Sequence, residues 1–115
     1  MKQFELRQTY RGKDITAFVL QHTNSVHISL YGGDLSHIGA IGIVDLEGRC
    51  TVTQFSGHKE GSICKKWCDA LSAAGFCPVV VEAGIHYDRL DKSGIIAVLD
   101  VLDMLLNEAL TELCP

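Results

Sequence analysis

The stretch Pro78-Val79-Val80-Val81-Glu82-Ala83, bounded by Gly75 and Gly84, decides how this chain is read. A β-branched run between two glycines signals a strand, and its apolar character places that strand at the centre of a sheet. The flanks on either side carry a different period. Before it, Ile63, Trp67, Leu71 and Ala74 recur at helical spacing from an N-cap at Ser62 to a stop at Gly75, with Trp67 as a core anchor. After it, Gly84-Ile85-His86-Tyr87-Asp88 leads through an Asp-rich turn into Ile95, Leu99, Leu102, Leu106, Ala109, Leu110 and Leu113, the clearest helix in the chain. Ile96, Val98, Val101, Met104 and Leu105 spread its apolar surface beyond one face, so the sheet takes one face and a second subunit is expected on another.

Everything upstream reads as strands and turns. Phe4 to Tyr10 and Ile15 to His22 form a hairpin around Arg11-Gly12-Lys13-Asp14, and Val26, Ile28 and Leu30 alternate with His27, Ser29 and Tyr31. The apolar run Ile38 to Leu46 holds Gly39 and Gly42, which weaken a strand unless a ligand, a bulge or another backbone comes close. A turn at Asp45 to Arg49 then leads into Cys50 to Phe55. The resulting order, β-β-β-β-β-α-β-α, predicts an α+β fold: a mostly antiparallel sheet of about six strands carrying two helices, with residues 1–115 as one domain.

Composition narrows the function classes. With 47% hydrophobic and 21% charged residues among 115, the chain has enough apolar area to offset the entropy of ordering, which excludes intrinsic disorder. A net charge of −4 without any Lys/Arg run makes nucleic acid a poor partner. Met1-Lys2-Gln3-Phe4-Glu5 lacks the apolar stretch of a signal peptide and no segment has the length of a membrane span, so a cytoplasmic location and no membrane partner are expected. Five cysteines, Cys50, Cys64, Cys68, Cys77 and Cys114, then read as reduced thiols. Cys64 and Cys68 at i and i+4 have no second pair in zinc-site order and act as small buried hydrophobes.

Polar chemistry is concentrated in three turns where strands end: Gly32-Gly33-Asp34-Leu35-Ser36-His37-Ile38-Gly39, Gly57-His58-Lys59-Glu60-Gly61-Ser62, and Gly84-Ile85-His86-Tyr87-Asp88. Glycine lets a backbone approach a ligand, and His, Glu and Asp supply donors, acceptors or metal ligands. The second turn opens a helix, where backbone N–H groups and the helix dipole favour an anion, with Lys59, Lys65 or Lys66 adding positive charge. The plainer reading is that Ser62 caps the helix and Glu60 balances its dipole. Likewise His37, His58 and His86, with Glu60, Asp34 or Asp88, could form a metal or proton-transfer cluster, or each could be a turn residue bonded to nearby backbone. No recognised zinc spacing and no G-x-S-x-G elbow is present, so Ser36 and Ser56 read as turn residues. Tyr31 and Tyr87 lie beside the turns and could cover an aromatic ring, whereas His22 and His27 read as surface or structural residues.

On Gly32-Gly33-Asp34 with His37-Ile38-Gly39-Ala40, on Gly57-His58-Lys59-Glu60, and on Gly84-Ile85-His86-Tyr87-Asp88 with Gly94-Ile95 downstream, the sequence resembles the LpdD-like prenylated-flavin chaperones. The resemblance spans nearly the whole chain. It implies a fold similar to small proteasome-assembly chaperones and at least a homodimer. It also implies a role in binding or delivering prenylated FMN, or FMN itself, to a UbiD-like (gallate-type) hydroxyarenecarboxylate decarboxylase, without catalysis by the chain. A flavin prenyltransferase is a further implied partner.

Carried onto this sequence, the resemblance implies that Gly33, His37 and Gly39 shape one wall of the flavin site, His58, Lys59 and Glu60 a second, and His86, Tyr87 and Asp88 a third. Gly61 and Ser62 at the helix start would face the phosphate, and the histidines would bond to the ring edge or hold a cation. Two other readings stay open: a small metal-assisted hydrolase or lyase built on His37, His58 and His86, and a non-catalytic scaffold that buries an apolar helix face against a partner.

Overall fold

The computed structural model of the chain describes residues 1–55 and 60–115. Six strands, β1 (Lys2–Tyr10), β2 (Lys13–Gln21), β3 (Val26–Gly33), β4 (Ala40–Val44), β5 (Cys50–Gln54) and β6 (Val79–His86), form one sheet in the order β1-β2-β3-β6-β4-β5. Helices α1 (Gly61–Ala73) and α2 (Lys92–Leu113) complete the chain. The Val79–Ala83 run lies at the centre, as its composition predicts, paired on one side with β3 and on the other with β4. The sheet is mixed. β3 and β6 run parallel, in register Val26↔Val79 through Gly33↔His86, whereas every other neighbouring pair is antiparallel. The parallel step follows from α1, which carries the chain from β5 back across the sheet to start β6 beside β3.

Strand alternation selects one face for the core. Ile15, Ala17 and Val19 of β2, Val26, Ile28 and Leu30 of β3, Val79, Val81 and Ala83 of β6, and Ala40 and Val44 of β4 are all buried and face the helices through the registers that pair them. α1 lies on β4, β5 and β6, and α2 on β1 and β2. Trp67, 1% exposed, anchors α1 with Cys64, Cys68 and Leu71; Leu102, Leu105, Ala109 and Leu113 anchor α2. Gly42 lets α1 sit close, since a Cβ there would lie 2.9 Å from Cys68 Sγ. The molecule is thus a two-layer slab, 39 × 29 × 19 Å, with both helices on one side and a bare sheet face on the other.

The helix starts differ from one another. α2 has a side-chain cap, Asp91 Oδ1 accepting from Gly94 N at 2.8 Å. For α1 the expected cap at Ser62 gives way to Glu60, whose backbone carbonyl accepts from Cys64 N, while Gln54 Oε1 reaches from β5 to take the Gly61 N–H at 3.1 Å. A side chain from the preceding strand has replaced the local cap, and Ser62 sits exposed in the first turn. Among the described residues, no helix is long and apolar enough to cross a membrane.

Candidate functional site

Because β3 and β6 are parallel neighbours, their C-terminal ends deliver the first and third turns to one end of the sheet. Gly33 pairs with His86, and Asp34 N–H donates to His86 O. The chain then folds back to begin β4 on the other side of β6, with Gly39 N–H donating to Ala83 O at 2.8 Å and Phe55 N–H to Gly39 O at 2.9 Å. This return is so tight that His37 O lies where a Cβ of residue 84 would project, a contact only glycine permits. Gly39 plays the same part for Glu60, whose carboxylate occupies the space a Cβ would fill. The glycines do mark close approaches, and what approaches is the chain's own backbone and an acid.

The second turn joins the first through His37 and Glu60. His37 Nε2 lies 3.1 Å from Glu60 Oε1, with side chains only 15% and 9% exposed. His37 Nδ1 is 3.4 Å from Leu35 O, so both ring nitrogens face oxygen atoms. Among the described residues, Glu60 Oε2 is buried without a hydrogen-bond partner. A buried carboxylate oxygen in that state carries a desolvation cost that no described group offsets.

Glu60 and Ser62 form the polar end of a cleft of about 220 Å³ whose other walls are Ile63 of α1, Ile85 of β6, Leu90, and Ile95, Val98 and Leu99 of α2. Through Ser62, Ile63 and Leu99 it continues into a second hollow of about 280 Å³ between the helices, which reaches Trp67, Lys66 and Asp103. Lys66 Nζ and Asp103 Oδ1, 2.6 Å apart, bridge the helices at that end. The whole forms an apolar groove with polar groups at its ends, the usual make-up of a small-molecule site.

The third turn comes to the same end of the sheet and then diverges. His86 faces solvent, its Nε2 2.9 Å from Asp88 Oδ1, and Asp88 N–H donates to Asp34 Oδ2 at 2.9 Å. Tyr87 is 4% exposed, packs edge-on against Tyr10 and donates its hydroxyl to Lys13 O at 3.1 Å. Its burial pushes the phenol up from its ordinary value. Tyr31 lies on the bare sheet face, away from the groove. His58 and Lys59 lie outside the described residues, and among the described residues no group of three or more His, Cys, Asp or Glu could hold a metal ion. The apolar walls of the cleft carry no polar motif, and so the sequence reading passed over Ile63, Ile85, Leu90 and Leu99 as sites. Helical apolar spacing was the one available signal, and it reaches only Ile63 and Leu99.

A mixed sheet with both helices on one side, and a groove between those helices with a buried acid at its mouth, defines a small two-layer α+β protein. The chain belongs to the prenylated flavin chaperone LpdD-like domain family, whose model matches residues 9–114. Among curated proteins, none matches the chain significantly.

Proposed function

We propose that this protein binds prenylated FMN, or FMN, in the groove between α1 and α2 and passes it to a UbiD-like hydroxyarenecarboxylate decarboxylase, with a flavin prenyltransferase as the source. Membership of a prenylated-flavin chaperone family supports the cofactor, and the observation that carries its placement is the apolar cleft that ends on Glu60, a buried acid whose Oε2 has no hydrogen-bond partner among the described residues. The walls made by Ile63, Ile85, Leu90, Ile95, Val98 and Leu99 suit a ring enlarged by an apolar prenyl unit, and Glu60 suits the N–H edge of that ring. His37 and Gly39 act as positioning residues for Glu60, and Ser62 in the first turn of α1 lies on the phosphate side. Gly33, His86, Tyr87 and Asp88 hold the strand ends that carry this loop; for His58 and Lys59, outside the described residues, the family resemblance alone implies a part in the site. Any cation held there is a secondary matter.

Co-expression with a flavin prenyltransferase tests the reading. The purified protein should carry prenylated FMN stoichiometrically by mass and absorbance, show no decarboxylation by itself, and restore activity to a cofactor-free decarboxylase. A colourless protein that restores nothing would favour the scaffold reading.

A further inference from the structure

The groove between α1 and α2 has a direction. Glu60 closes one end with a nearly buried carboxylate, and Lys66 and Asp103 stand at the other. Among the described residues, Lys66 is the one lysine that lines either hollow; its neighbour Lys65 pairs with Asp69 on α1 itself at 2.7 Å. The six positions from Glu60 to Lys66 span about 9 Å along the helix axis. Ser62, Ile63 and Leu99 line the passage between them from both hollows.

On the reading that this groove holds a flavin phosphate, we propose that Lys66 is the residue that recognises the phosphate, and that Asp103 is a built-in competitor for it. A phosphomonoester carries about two negative charges at neutral pH. The Glu60 carboxylate repels such a group from the very start of α1, where Gln54 Oε1 has also taken the Gly61 N–H. Lys66 attracts it, and so the ring lies toward Glu60 and the phosphorylated tail runs past Ser62 to Lys66. Asp103 Oδ1 meanwhile holds Lys66 Nζ at 2.6 Å, with the two side chains 46% and 61% exposed. An ion pair that open to water contributes little, and Asp103 is hydrated at small cost when it lets go. A phosphate with two charges therefore takes the ammonium from a single carboxylate. The pair re-forms when the ligand leaves, which eases release, the step that a carrier must perform as readily as binding.

Calorimetric titration of the full chain tests it, with FMN set against riboflavin and prenylated FMN set against its phosphatase-treated form. The wild type should bind each phosphorylated form at least about fivefold tighter than its dephosphorylated counterpart. Lys66→Gln should bind the two alike, at the wild-type affinity for the dephosphorylated form, and Lys66→Arg should keep the preference. Asp103→Asn should bind the phosphorylated form about threefold tighter and the dephosphorylated form as before. Lys2→Gln, which removes the same charge from the Lys2–Glu112 pair, should match the wild type. A preference that survives in Lys66→Gln, an equal loss of both forms there, or an Asp103→Asn no tighter than wild type would overturn the assignment. Failure of the flavin reading itself looks different: Glu60→Ala would leave both forms at wild-type affinity, or neither form would bind at all, and the assignment would fall with it.

Discussion

His37, in the loop that links β3 to β4, and Glu60, 23 residues further along the sequence, meet at 3.1 Å, and Gly39 leaves the space in which the Glu60 carboxylate rests. A buried pair is costly to break from one side only, since the remaining group keeps its desolvation penalty and loses its partner. Here the pair also connects the loop after β3 to the start of α1.

Gly39→Ala should therefore act through Glu60. The added methyl displaces the carboxylate and should cost about 1–3 kcal/mol, as overpacking does. In a Glu60→Ala background the obstruction is gone, and the cost of Gly39→Ala should fall by at least about 0.5 kcal/mol, the lower bound for residues in direct contact. Urea unfolding of the four proteins in the cycle checks this; strictly additive effects would contradict the contact.

Gly84→Ala presents a harder obstacle, because its methyl meets the backbone carbonyl of His37 and no side chain can swing away. We expect a loss at or above the upper end of the overpacking range, about 3 kcal/mol. Gly48→Ala, in an open turn with φ +82°, meets nothing within 4 Å and bears only the conformational strain, of about 1 kcal/mol. Thermal melts of the two variants should rank in that order.

Asp91 provides the pH signature of α2. The Gly94 N–H it accepts, and then Ser93, hold its carboxyl below its ordinary value of 3.8. A carboxyl depressed in the folded state stabilises fully above the unfolded value, and that stability disappears as pH falls through the lower folded value. Asp91→Asn keeps an acceptor without the charge, so its melting temperature should lie below wild type at neutral pH and converge with it in acid. A gap that persists at pH 2 would contradict the assignment.

Thiol reactivity should follow burial. Desolvation pushes Cys64 up to about 11 and Cys68 up to about 12, and both are fully buried under α1. Iodoacetamide at pH 8 should label Cys114, which is exposed, well before either, with Cys64 and Cys68 reacting only on unfolding. Mass mapping of the label against time reads the order directly.

Local signals in the sequence were sufficient for the elements, and insufficient wherever distant segments meet. The Tyr10↔Lys13 and Val44↔Cys50 hairpins and both helices follow from turn chemistry and period, and Trp67 is the core anchor its spacing suggests. The parallel partner of β6 was not legible, because a pairing of Val26 with Val79 depends on where α1 returns the chain. The α1 start was misread for a related reason: Gln54 does the work expected of Ser62. Tyr87 has the sequence neighbours of a site residue and the packing of a core residue, a choice made by Tyr10 and Lys13 from another hairpin. Of the turn residues, His37, Gly39 and Glu60 come together, and His86 with Asp88 stands apart in solvent.

Methyl NMR during titration with prenylated FMN tests the central claim most directly. Ring-current shifts should saturate at one equivalent in Ile63, Ile85, Leu90, Ile95, Val98 and Leu99, leave Leu20, Ile41 and Val80 in place, and require at least tenfold more ligand in Glu60→Ala. Saturable shifts confined to the bare sheet face, with the groove methyls unmoved, would contradict it.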